Sequence, residues 1–458
     1  ANDATPDPDG AIEEGARHPE LRLAFTVPWI GSHFPAWFPY FLVSCERSAY
    51  LVDWLIFHED AALPEGDQLP SNVIFHNLGK DGLGLLFGMK IAQALNMTAS
   101  MSKLVNLFRV AFKEFSYIVT EYKPTHGAVF EDYLKGYSHW SYTDIDVIVG
   151  DLPLYISKEE LTLYDIVTYH FGDVYRLYLR GQFASHRNVP QLARLWTACH
   201  HLGEGLVHEL EMKHAIVKKL AAQGKSGRTR FISAEGCYSH VVAAQPSLRL
   251  KFSAKAFADW AEHKEYYVVD GAVRKCEAPR EVWRGADSAR AAAGFDDADE
   301  APCDPFAPRI SRHSAALPEV ERPAGEAIPI AIHSNCSRWV EERYRVCANI
   351  SEDLAESGLN VLRTDGTWRA QRFDRLEPHG SLEGAFLHLQ RWKARYSRLE
   401  YGGDSMPRLR GRRLFKLTSK ALTPIDMRYD DALGANLSTF RADAAARRPS
   451  VADGSQMS

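Results

Sequence analysis

The feature that most constrains the fold is a regular alternation between apolar segments of strand length and segments with helical spacing. LRLAFTVPWI (21–30) and LVDWLIFHED (51–60) are short apolar runs typical of strands, and AWFPYFLVSCERSA (36–49) between them carries apolar residues at helical spacing. This order predicts a β-α-β unit. Repeated along a chain, it favours an open α/β sheet with helices on both faces.

The alternation continues towards the middle of the chain. Two further strands are predicted, NVIFHNLG (72–79) and DIDVIVGDL (144–152), and three helices, GLLFGMKIAQAL (84–95), MSKLVNLFRVAF (101–112) and GAVFEDYL (127–134). In such sheets ligands bind at the carboxyl ends of the strands. No G-x-G-x-x-G follows the first strand and no Walker A motif occurs, which disfavours a dinucleotide or P-loop site.

Composition divides the 458 residues into five parts. A core rich in apolar runs is predicted between polar ends, interrupted by an Ala/Pro/Asp-rich insertion with few large apolar residues. The predicted boundaries are a disordered lead-in (1–20), the catalytic core (21–275), the insertion (276–328), a C-terminal part completing the catalytic domain (329–430) and a flexible tail (431–458).

The charge balance excludes one class of partner. Lysine and arginine total 54 against 59 aspartates and glutamates, mixed throughout, for a net charge of -5. No basic field is therefore available to hold a nucleic-acid backbone, and we expect no nucleic-acid partner.

Cysteines and glycosylation sequons bear on the cellular compartment. Seven scattered cysteines lack the paired C-x2-C spacing of a zinc module, and the last four are expected to be able to pair with one another: Cys276, Cys303, Cys336 and Cys347. Four N-x-S/T sequons occur, at Asn96, Asn335, Asn349 and Asn436. These features favour the secretory-pathway lumen, such as the Golgi, with the cytoplasm as the alternative.

The segment HWSYTDIDVIVGDL (139–152) places Asp144 and Asp146 one residue apart within an apolar, β-branched run. Aspartate is depleted in strands, and two buried carboxylates at i and i+2 on one face require a shared cation. A divalent metal such as Mg²⁺ or Mn²⁺ suits them, because hard cations take carboxylate oxygens. The alternative is a pair of strand-end residues bonded to backbone amides or facing water.

Several segments together resemble the GT-A type of glycosyltransferase. They are FTVPWIGSHF through LIFHED (25–60), YKPTHGAVFEDYL through DIDVIVGDL (122–152), LYLRGQFASHRN (177–188), FISAEGCYSHVV (231–242) and FLHLQRWK (386–393). The resemblance covers roughly residues 21–240 and 380–395. It implies a GT-A-like α/β/α fold and transfer of a sugar from a UDP- or GDP-sugar to a hydroxyl of a glycan, glycoprotein or glycolipid.

The resemblance also implies how the leaving group is held. Departure of the nucleoside diphosphate develops negative charge, so the site needs Mn²⁺ or Mg²⁺ and basic side chains. Asp144 and Asp146 would contact the metal, His388 would complete its coordination, and Lys393 would bind the diphosphate. The spacing to Lys393 departs by one residue from the best-known pattern. The alternative for His388 is a core histidine beside Phe386.

Other implied donor contacts are Lys123 and Asp60. Lys123 precedes Pro124 before a predicted helix, where a cation reaches the nucleotide or its diphosphate; the alternative is a surface lysine. Asp60 ends the second predicted strand, where the family contacts the nucleoside; the alternative is a strand-end cap. Arg187 and Asn188 are expected in a loop that holds donor sugar or acceptor, although loop arginines are more often solvated.

On the acceptor side, Glu235 is the candidate catalytic base of an inverting reaction, whereas a retaining reaction would not need it. Trp140 and Tyr142 are interpreted as sugar- or base-stacking residues or, alternatively, as core. The histidines at 200, 201 and 208 lack an H-E-x-x-H motif and are interpreted as scattered over a helix surface.

Two other functions remain open from the sequence. One is a noncatalytic carbohydrate-binding protein of the same fold, and the other is a metal-dependent nucleotidyltransferase that releases pyrophosphate. An anchor to a membrane is expected, if present, in a segment outside this sequence.

Overall fold

The structure is a computed structural model, and it describes most of the chain before residue 258 and shorter stretches beyond it. The described residues are 21–35, 37–63, 69–170, 177–223, 234–258, 264–269, 272–277, 326–333, 347–348, 359–372, 382–389, 414–417 and 422–425. The predicted lead-in and tail, nearly all of the predicted insertion, and Lys393 lie outside these residues.

Most strands of the first half are short and belong to the central sheet. The strands up to residue 258 are β1 (Leu23–Trp29), β2 (Val52–His58), β3 (Val73–Asn77), β4 (His139–Tyr142), β5 (Val147–Val149), β6 (Ile166–Tyr169), β7 (Ala184–Arg187), β8 (Leu250–Ser253) and β9 (Ala256–Ala258). The later strands are β10 (Lys264–Val269), β11 (Ala272–Glu277), β12 (Ile328–Pro329), β13 (Ile332–His333), β14 (Cys347–Ala348), β15 (Leu359–Arg363), β16 (Trp368–Arg372), β17 (Leu382–Gly384), β18 (Phe386–His388), β19 (Leu414–Leu417) and β20 (Leu422–Ile425).

The helices of the described chain lie between the strands of the first half. They are α1 (Phe38–Cys45), α2 (Gly82–Ala94), α3 (Met101–Glu114), α4 (His126–Val129), α5 (Leu152–Tyr155), α6 (Lys158–Leu163), α7 (Pro190–Ala193), α8 (Leu206–Ala222) and α9 (Ala234–Ala243). Short 3-10 helices span Glu46–Ser48, Thr98–Ser100, Ser116–Thr125 and Leu195–Ala198. Among the described residues, no helix is both long enough and apolar enough to cross a membrane.

The central sheet has ten strands in the order β12-β16-β15-β8-β6-β7-β4-β1-β2-β3. Parallel pairing joins β3, β2, β1 and β4, and also β6 and β8. β7 runs antiparallel to both of its neighbours, and beyond β8 the strands β15, β16 and β12 alternate in direction. Seven strands therefore point in one direction, as an open and mostly parallel sheet requires.

Both faces of this sheet are covered, because neighbouring residues of one strand enter different apolar clusters. In β1, Ala24 belongs to an apolar cluster that includes residues of α2, α3 and α9, whereas Phe25 belongs to a second cluster that includes residues of α1 and Phe386 of β18. In β2, Phe57 belongs to the first cluster and Trp54 to the second. Full burial of each such aromatic side chain contributes about 1.5–3 kcal/mol. The predicted fold class, a mostly parallel α/β sheet with helices on both faces, is confirmed.

The sequence pattern gave most of the first elements their correct type. The predicted strands at 21–30, 51–60 and 72–79 correspond to β1, β2 and β3, and the helix predicted over 101–112 corresponds to α3. In α3 the residues Leu104, Phe108, Ala111 and Phe112 are buried, in the spacing of one helix face. The helix predicted over 127–134 is reduced to α4, which ends at Val129.

The strand predicted over 144–152 is wrong in its extent. β4 ends at Tyr142 and β5 begins at Val147, so Asp144 and Asp146 lie in the connection between them. β5 leaves the central sheet and joins a three-stranded sheet in the order β5-β18-β9. The aspartates are therefore at the carboxyl end of a central strand, rather than within one.

The C-terminal part contributes strands to four sheets. β12, β15 and β16 extend the central sheet beyond β8, and β18 inserts between β5 and β9. β10, β11, β17, β19 and β20 form a five-stranded sheet, and β13 pairs with β14. The predicted domain boundaries themselves stay predictions.

Candidate metal and donor site

Three predicted metal ligands lie together. Asp144 and Asp146 follow β4, and His388 ends β18, which pairs antiparallel with β5 so that His388 lies opposite Val147. The backbone N–H of Leu389 donates to the carbonyl of Asp146 at 2.8 Å, which fixes the end of β18 against the aspartate connection. His388 is thereby held beside Asp146, with Nε2 at 3.6 Å from Oδ1.

The three side chains have the chemistry and spacing of a metal site. One ligand atom of each side chain lies within 4.8 Å of the ligand atoms of the other two. Within the described chain, these three residues are the group with the spacing of metal ligands. Opposite ligands of an octahedral Mg²⁺ lie about 4 Å apart, from metal–oxygen distances near 2.1 Å. Two carboxylates and an imidazole suit Mn²⁺ or Mg²⁺, and the residues therefore fit such an ion.

Lys123 is buried, not a surface lysine. It lies in the 3-10 helix Ser116–Thr125, only 3% exposed, and its Nζ donates to Asp144 Oδ1 at 2.5 Å and to the Gly181 carbonyl at 2.7 Å. Burial lowers the pKa of Lys123, but the carboxylates of Asp144 and Glu235 outweigh this and leave it raised. Lys123 is therefore a permanent cation between these two acids.

Packing explains the glycine that ends the KPTHG segment, Gly127. A Cβ at Gly127 would lie 2.5 Å from the indole ring of Trp140, so only glycine lets α4 approach β4 this closely. This packing holds the 3-10 helix that carries Lys123 against the strand that leads to Asp144.

Glu235 lies in the first turn of α9 on the other side of Lys123. Tyr178 Oη donates to Glu235 Oε2 at 3.0 Å. Burial raises the pKa of Glu235 to about 7, an effect that Lys123 opposes and that Glu121 and Asp144 increase. A carboxyl group with this pKa can take a proton near neutral pH, as a general base must.

Residues 177–183 link the two acids and were not recognised individually from the sequence. In this segment Tyr178 contacts Glu235, the Gly181 carbonyl accepts from Lys123, and Gln182 Nε2 donates to Asp144 Oδ2 at 3.2 Å. A Cβ at Gly181 would lie 2.2 Å from Glu235 Oε1. The signal that would have found them is the R-G-Q tripeptide, in which glycine precedes a polar residue just before β7.

Asp60 is exposed and lies just after β2, at the same edge of the sheet as Asp144 because β2, β1 and β4 are parallel. It has a positive φ of 51°. Asn77, at the end of β3, donates from Nδ2 to Asp60 Oδ1 at 3.0 Å and accepts from the Asp60 N–H at 3.2 Å. Its assignment to the nucleoside stays a prediction.

Arg187 is not brought to this site. It lies in β7 opposite His139, the first residue of β4, so it is at the other edge of the sheet from Asp144. Its guanidinium donates to the carbonyl of Thr162 at 2.8 Å and lies 3.6 Å from Asp165. Asn188 donates to the carbonyls of Leu134 and Tyr137. The predicted donor-binding loop is therefore replaced by a strand end with structural contacts.

The remaining candidates are structural. Trp140 and Tyr142 are fully buried, which favours the core interpretation. His201 precedes α8 and is buried against Glu209, with Nδ1 2.7 Å from Oε1, so it is not part of an exposed helix surface. His200 is exposed and pairs with Glu204.

A disulfide joins Cys199 to Cys237, and Cys45 is free and buried. The sequence did not predict this bond, because the cysteines expected to pair were the four late ones. Cys303 and Cys336, two of the late cysteines expected to pair, lie outside the described residues. Cys237 lies two residues after Glu235 on α9, so the disulfide anchors the helix that carries the candidate base. Of the four sequons, Asn96 is described; it is exposed, just after α2.

Comparison with known proteins finds a family model that matches less than half of the chain. A family model described as a family of unknown function, DUF6625, matches residues 25–216. That range contains Lys123, Asp144 and Asp146 and stops before Glu235 and His388. No curated protein matches the chain.

Among solved structures, the chain is similar to mouse xyloside xylosyltransferase 1 in its apo form. The sequence identity is 11% and the TM-score is 0.26, and the match covers 52% of this chain and 87% of that one.

Proposed function

We propose that this protein is a metal-dependent glycosyltransferase that moves a sugar from a nucleoside-diphosphate sugar to a hydroxyl group of a glycan or glycoconjugate. The observation that carries the proposal is the convergence of Asp144, Asp146 and His388 beside the buried cation of Lys123. Such a site suits a substrate with a diphosphate leaving group, because a divalent ion held there leaves coordination positions for phosphate oxygens.

The metal, when bound, stabilises the negative charge that develops on the departing diphosphate. Lys123 fixes Asp144 in position and adds a positive charge to the same region. In the proposed reaction the anomeric carbon of the donor lies between this region and Glu235, because Lys123 interacts electrostatically with both Asp144 and Glu235.

Glu235 acts as the general base in the proposed reaction. Its carboxylate takes the proton of the acceptor hydroxyl, the acceptor oxygen bonds to the anomeric carbon, and the bond from that carbon to the diphosphate breaks. The raised pKa of about 7 supports this role, because the base is then available near neutral pH without being a weak proton acceptor. Tyr178 orients the carboxyl group through its hydrogen bond.

Two alternatives make different predictions. A noncatalytic carbohydrate-binding protein would bind glycans without a requirement for divalent metal. A nucleotidyltransferase would use a nucleoside triphosphate and release pyrophosphate rather than a nucleoside diphosphate. The carboxyl group of Glu235, held on the far side of Lys123 from the metal ligands, favours a reaction with an acceptor hydroxyl.

The test is a thermal-shift panel of nucleoside diphosphates and nucleotide sugars, each with and without Mn²⁺. A ligand at about 100 times its Kd stabilises the folded state by about 2.7 kcal/mol, which raises the melting temperature measurably. We expect a manganese-dependent shift for one nucleotide family, lost in Asp146→Asn. Asp132→Asn is the matched control, because Asp132 is an exposed aspartate paired with Lys90 on the surface.

A shift without Mn²⁺, or one retained in Asp146→Asn, would contradict the metal-dependent site. With the donor family known, release of nucleoside diphosphate in the presence of acceptor glycans measures the reaction itself. We expect Glu235→Gln to abolish that release while the manganese-dependent thermal shift remains. Pyrophosphate release from a triphosphate would instead support the nucleotidyltransferase.

We further propose that the protein works in an oxidising compartment such as the Golgi lumen. The Cys199–Cys237 disulfide supports this, because such bonds persist in secreted and lumenal proteins and are rare in the cytosol. Mass spectrometry of the protein from its own cells checks both the disulfide and a glycan at Asn96. Free thiols at Cys199 and Cys237 would contradict the proposed compartment.

A further inference from the structure

Behind Glu235, polar side chains from four elements meet in the interior. Tyr142 of β4, His186 of β7, Tyr238 of α9 and His126 of α4 are all fully buried. The ring of His186 lies 5.7 Å from that of Tyr142 and 5.8 Å from that of Tyr238, and the ring of His126 lies 6.1 Å from that of Tyr142. They form one cluster, called here the inner polar cluster.

The inner polar cluster is rich in groups that need hydrogen bonds. Within the described part of the chain, no protein atom bonds to the hydroxyls of Tyr142 and Tyr238, to either ring nitrogen of His186 or to Nε2 of His126. Buried polar atoms are nearly always satisfied in folded proteins, by protein or by ordered water. Several orphaned groups in one place therefore indicate a shared partner rather than separate defects.

The cluster is continuous with the candidate base. Glu235 and Tyr238 are three residues apart on α9 and so lie on one face of that helix. Burial raises the pKa of Tyr142, and the charges of Glu235, Tyr238 and Tyr178 raise it further. Glu235 is itself half-buried.

A metal ion does not suit this interior. Within the described chain, Asp144, Asp146 and His388 are the group of side chains close enough together to share a metal ion. His126, His186 and Glu235 do not form such a group. Burial lowers the pKa of His126 and also lowers that of His186, to about 3, so both imidazoles are neutral and can donate and accept hydrogen bonds. Neutral donors and acceptors around a polar interior are the environment of internal water.

We propose that ordered water molecules occupy the inner polar cluster and connect Glu235 to the hydroxyls of Tyr142 and Tyr238 and to the imidazole of His186. The existence of this water is independent of the reaction; its role rests on the proposed function. When donor and acceptor cover the outer side of Glu235, the inner water remains in contact with the carboxyl group. These waters donate hydrogen bonds to the Glu235 carboxylate and so hold it in place as the base; the proton that it takes from the acceptor returns to bulk solvent when the products leave its outer side.

The sign of a stability change separates a hydrated interior from a dry one. In a dry interior, Tyr238→Phe and Tyr142→Phe remove an unbonded buried hydroxyl and raise the melting temperature or leave it unchanged. In a hydrated interior the same changes remove a bonded hydroxyl, and we expect each to lower the melting temperature by roughly 1–4 °C. Tyr169→Phe is the matched control for a bonded hydroxyl, because Tyr169 Oη donates to Glu160 at 2.9 Å.

A crystal structure resolving ordered solvent gives the second measurement. We expect water density within hydrogen-bond distance of Tyr142, Tyr238 and Glu235. Direct contacts between these side chains without water would overturn the proposal even if both variants were destabilised, and a raised melting temperature in both variants would overturn it as well. Both measurements use the full chain without nucleotide or metal, so the failure of the transferase proposal leaves their result unaffected.

Discussion

The stabilisation expected from the disulfide between Cys199 and Cys237 follows from the length of the loop that it closes. The two cysteines are 38 residues apart, and they join the end of the 3-10 helix Leu195–Ala198 to α9. In the chain-entropy account, closing a loop of this length removes about 13 cal/mol/K from the unfolded ensemble, which is about 4 kcal/mol at 25 °C. We therefore expect Cys199→Ala/Cys237→Ala to lower the free energy of unfolding by about 4 kcal/mol.

Urea unfolding measures this change. With a slope of at least about 3 kcal/mol per molar for a chain of this size, the midpoint falls by about 1 M. Cys45→Ala is the control, since Cys45 is equally buried but free and reports the cost of a cysteine-to-alanine change in the core. Equal midpoints for the double variant and the Cys45 variant would refute the argument. The argument would also be refuted if the urea midpoint of the wild-type protein stayed the same after reduction of the Cys199–Cys237 disulfide to two thiols.

Three further predictions follow from the site and its surroundings. Gly181→Ala would put a Cβ 2.2 Å from Glu235 Oε1, so we expect nucleoside-diphosphate release to fall about 100-fold with the manganese-dependent thermal shift retained; a normal rate would contradict this placement. Burial lowers the pKa of His186 to about 3, so as pH falls below about 6.5 the unfolded chain takes up a proton that the folded chain does not. When the pH is lowered from 7 to 5, we expect the free energy of unfolding of His186→Gln, measured with urea, to fall by about 2 kcal/mol less than that of the wild type. Equal losses would contradict the low pKa of His186. Asp60 accepts a hydrogen bond from Asn77 through Oδ1, which leaves Oδ2 for a nucleotide base with a single N–H donor. We therefore expect UDP to give a larger thermal shift than GDP, and Asp60→Ala to reduce the difference. A larger shift with GDP would count against this role of Asp60.

The pH prediction uses a difference between variants because other groups titrate in the same range. Glu235 has a pKa raised to about 7, so between pH 7 and its ordinary value near 4.5 the folded chain binds the extra proton and gains stability as pH falls. This is opposite in sign to the effect of His186. Comparing His186→Gln with the wild type cancels the contribution of Glu235.

Elements whose type depends on local pattern were predictable. The β-α-β start, the third strand and α3 follow from runs of apolar residues at strand or helix spacing, and each is present. The strand assigned to Asp144 and Asp146 was wrong because β-branched residues raise strand propensity without marking where pairing stops. β4 stops at Tyr142 because the chain then leaves the central sheet to pair with β18, a partner far along the sequence.

The positions of the site residues likewise depend on contacts between segments that are distant in sequence. Arg187 was expected in a binding loop, but antiparallel pairing of β7 with β4 carries it to the opposite edge of the sheet. Lys123 was open to interpretation as a surface lysine, and only packing of the 3-10 helix against residues 177–183 makes it a buried ion pair. Tyr178, Gly181 and Gln182 contact the site through one continuous segment that has no distinctive periodicity of its own.

Periodicity and side-chain chemistry were enough to predict the α/β class, the order of the first strands and helices, and the candidate roles of Asp144, Asp146, His388 and Glu235. Tertiary structure alone decided that β18 would bring His388 to Asp146, that Lys123 would lie between Asp144 and Glu235, and that Cys199 would bond to Cys237. The physical reason is that strand pairing and side-chain packing between distant segments depend on the free energy of the whole core, to which no local window of sequence has access.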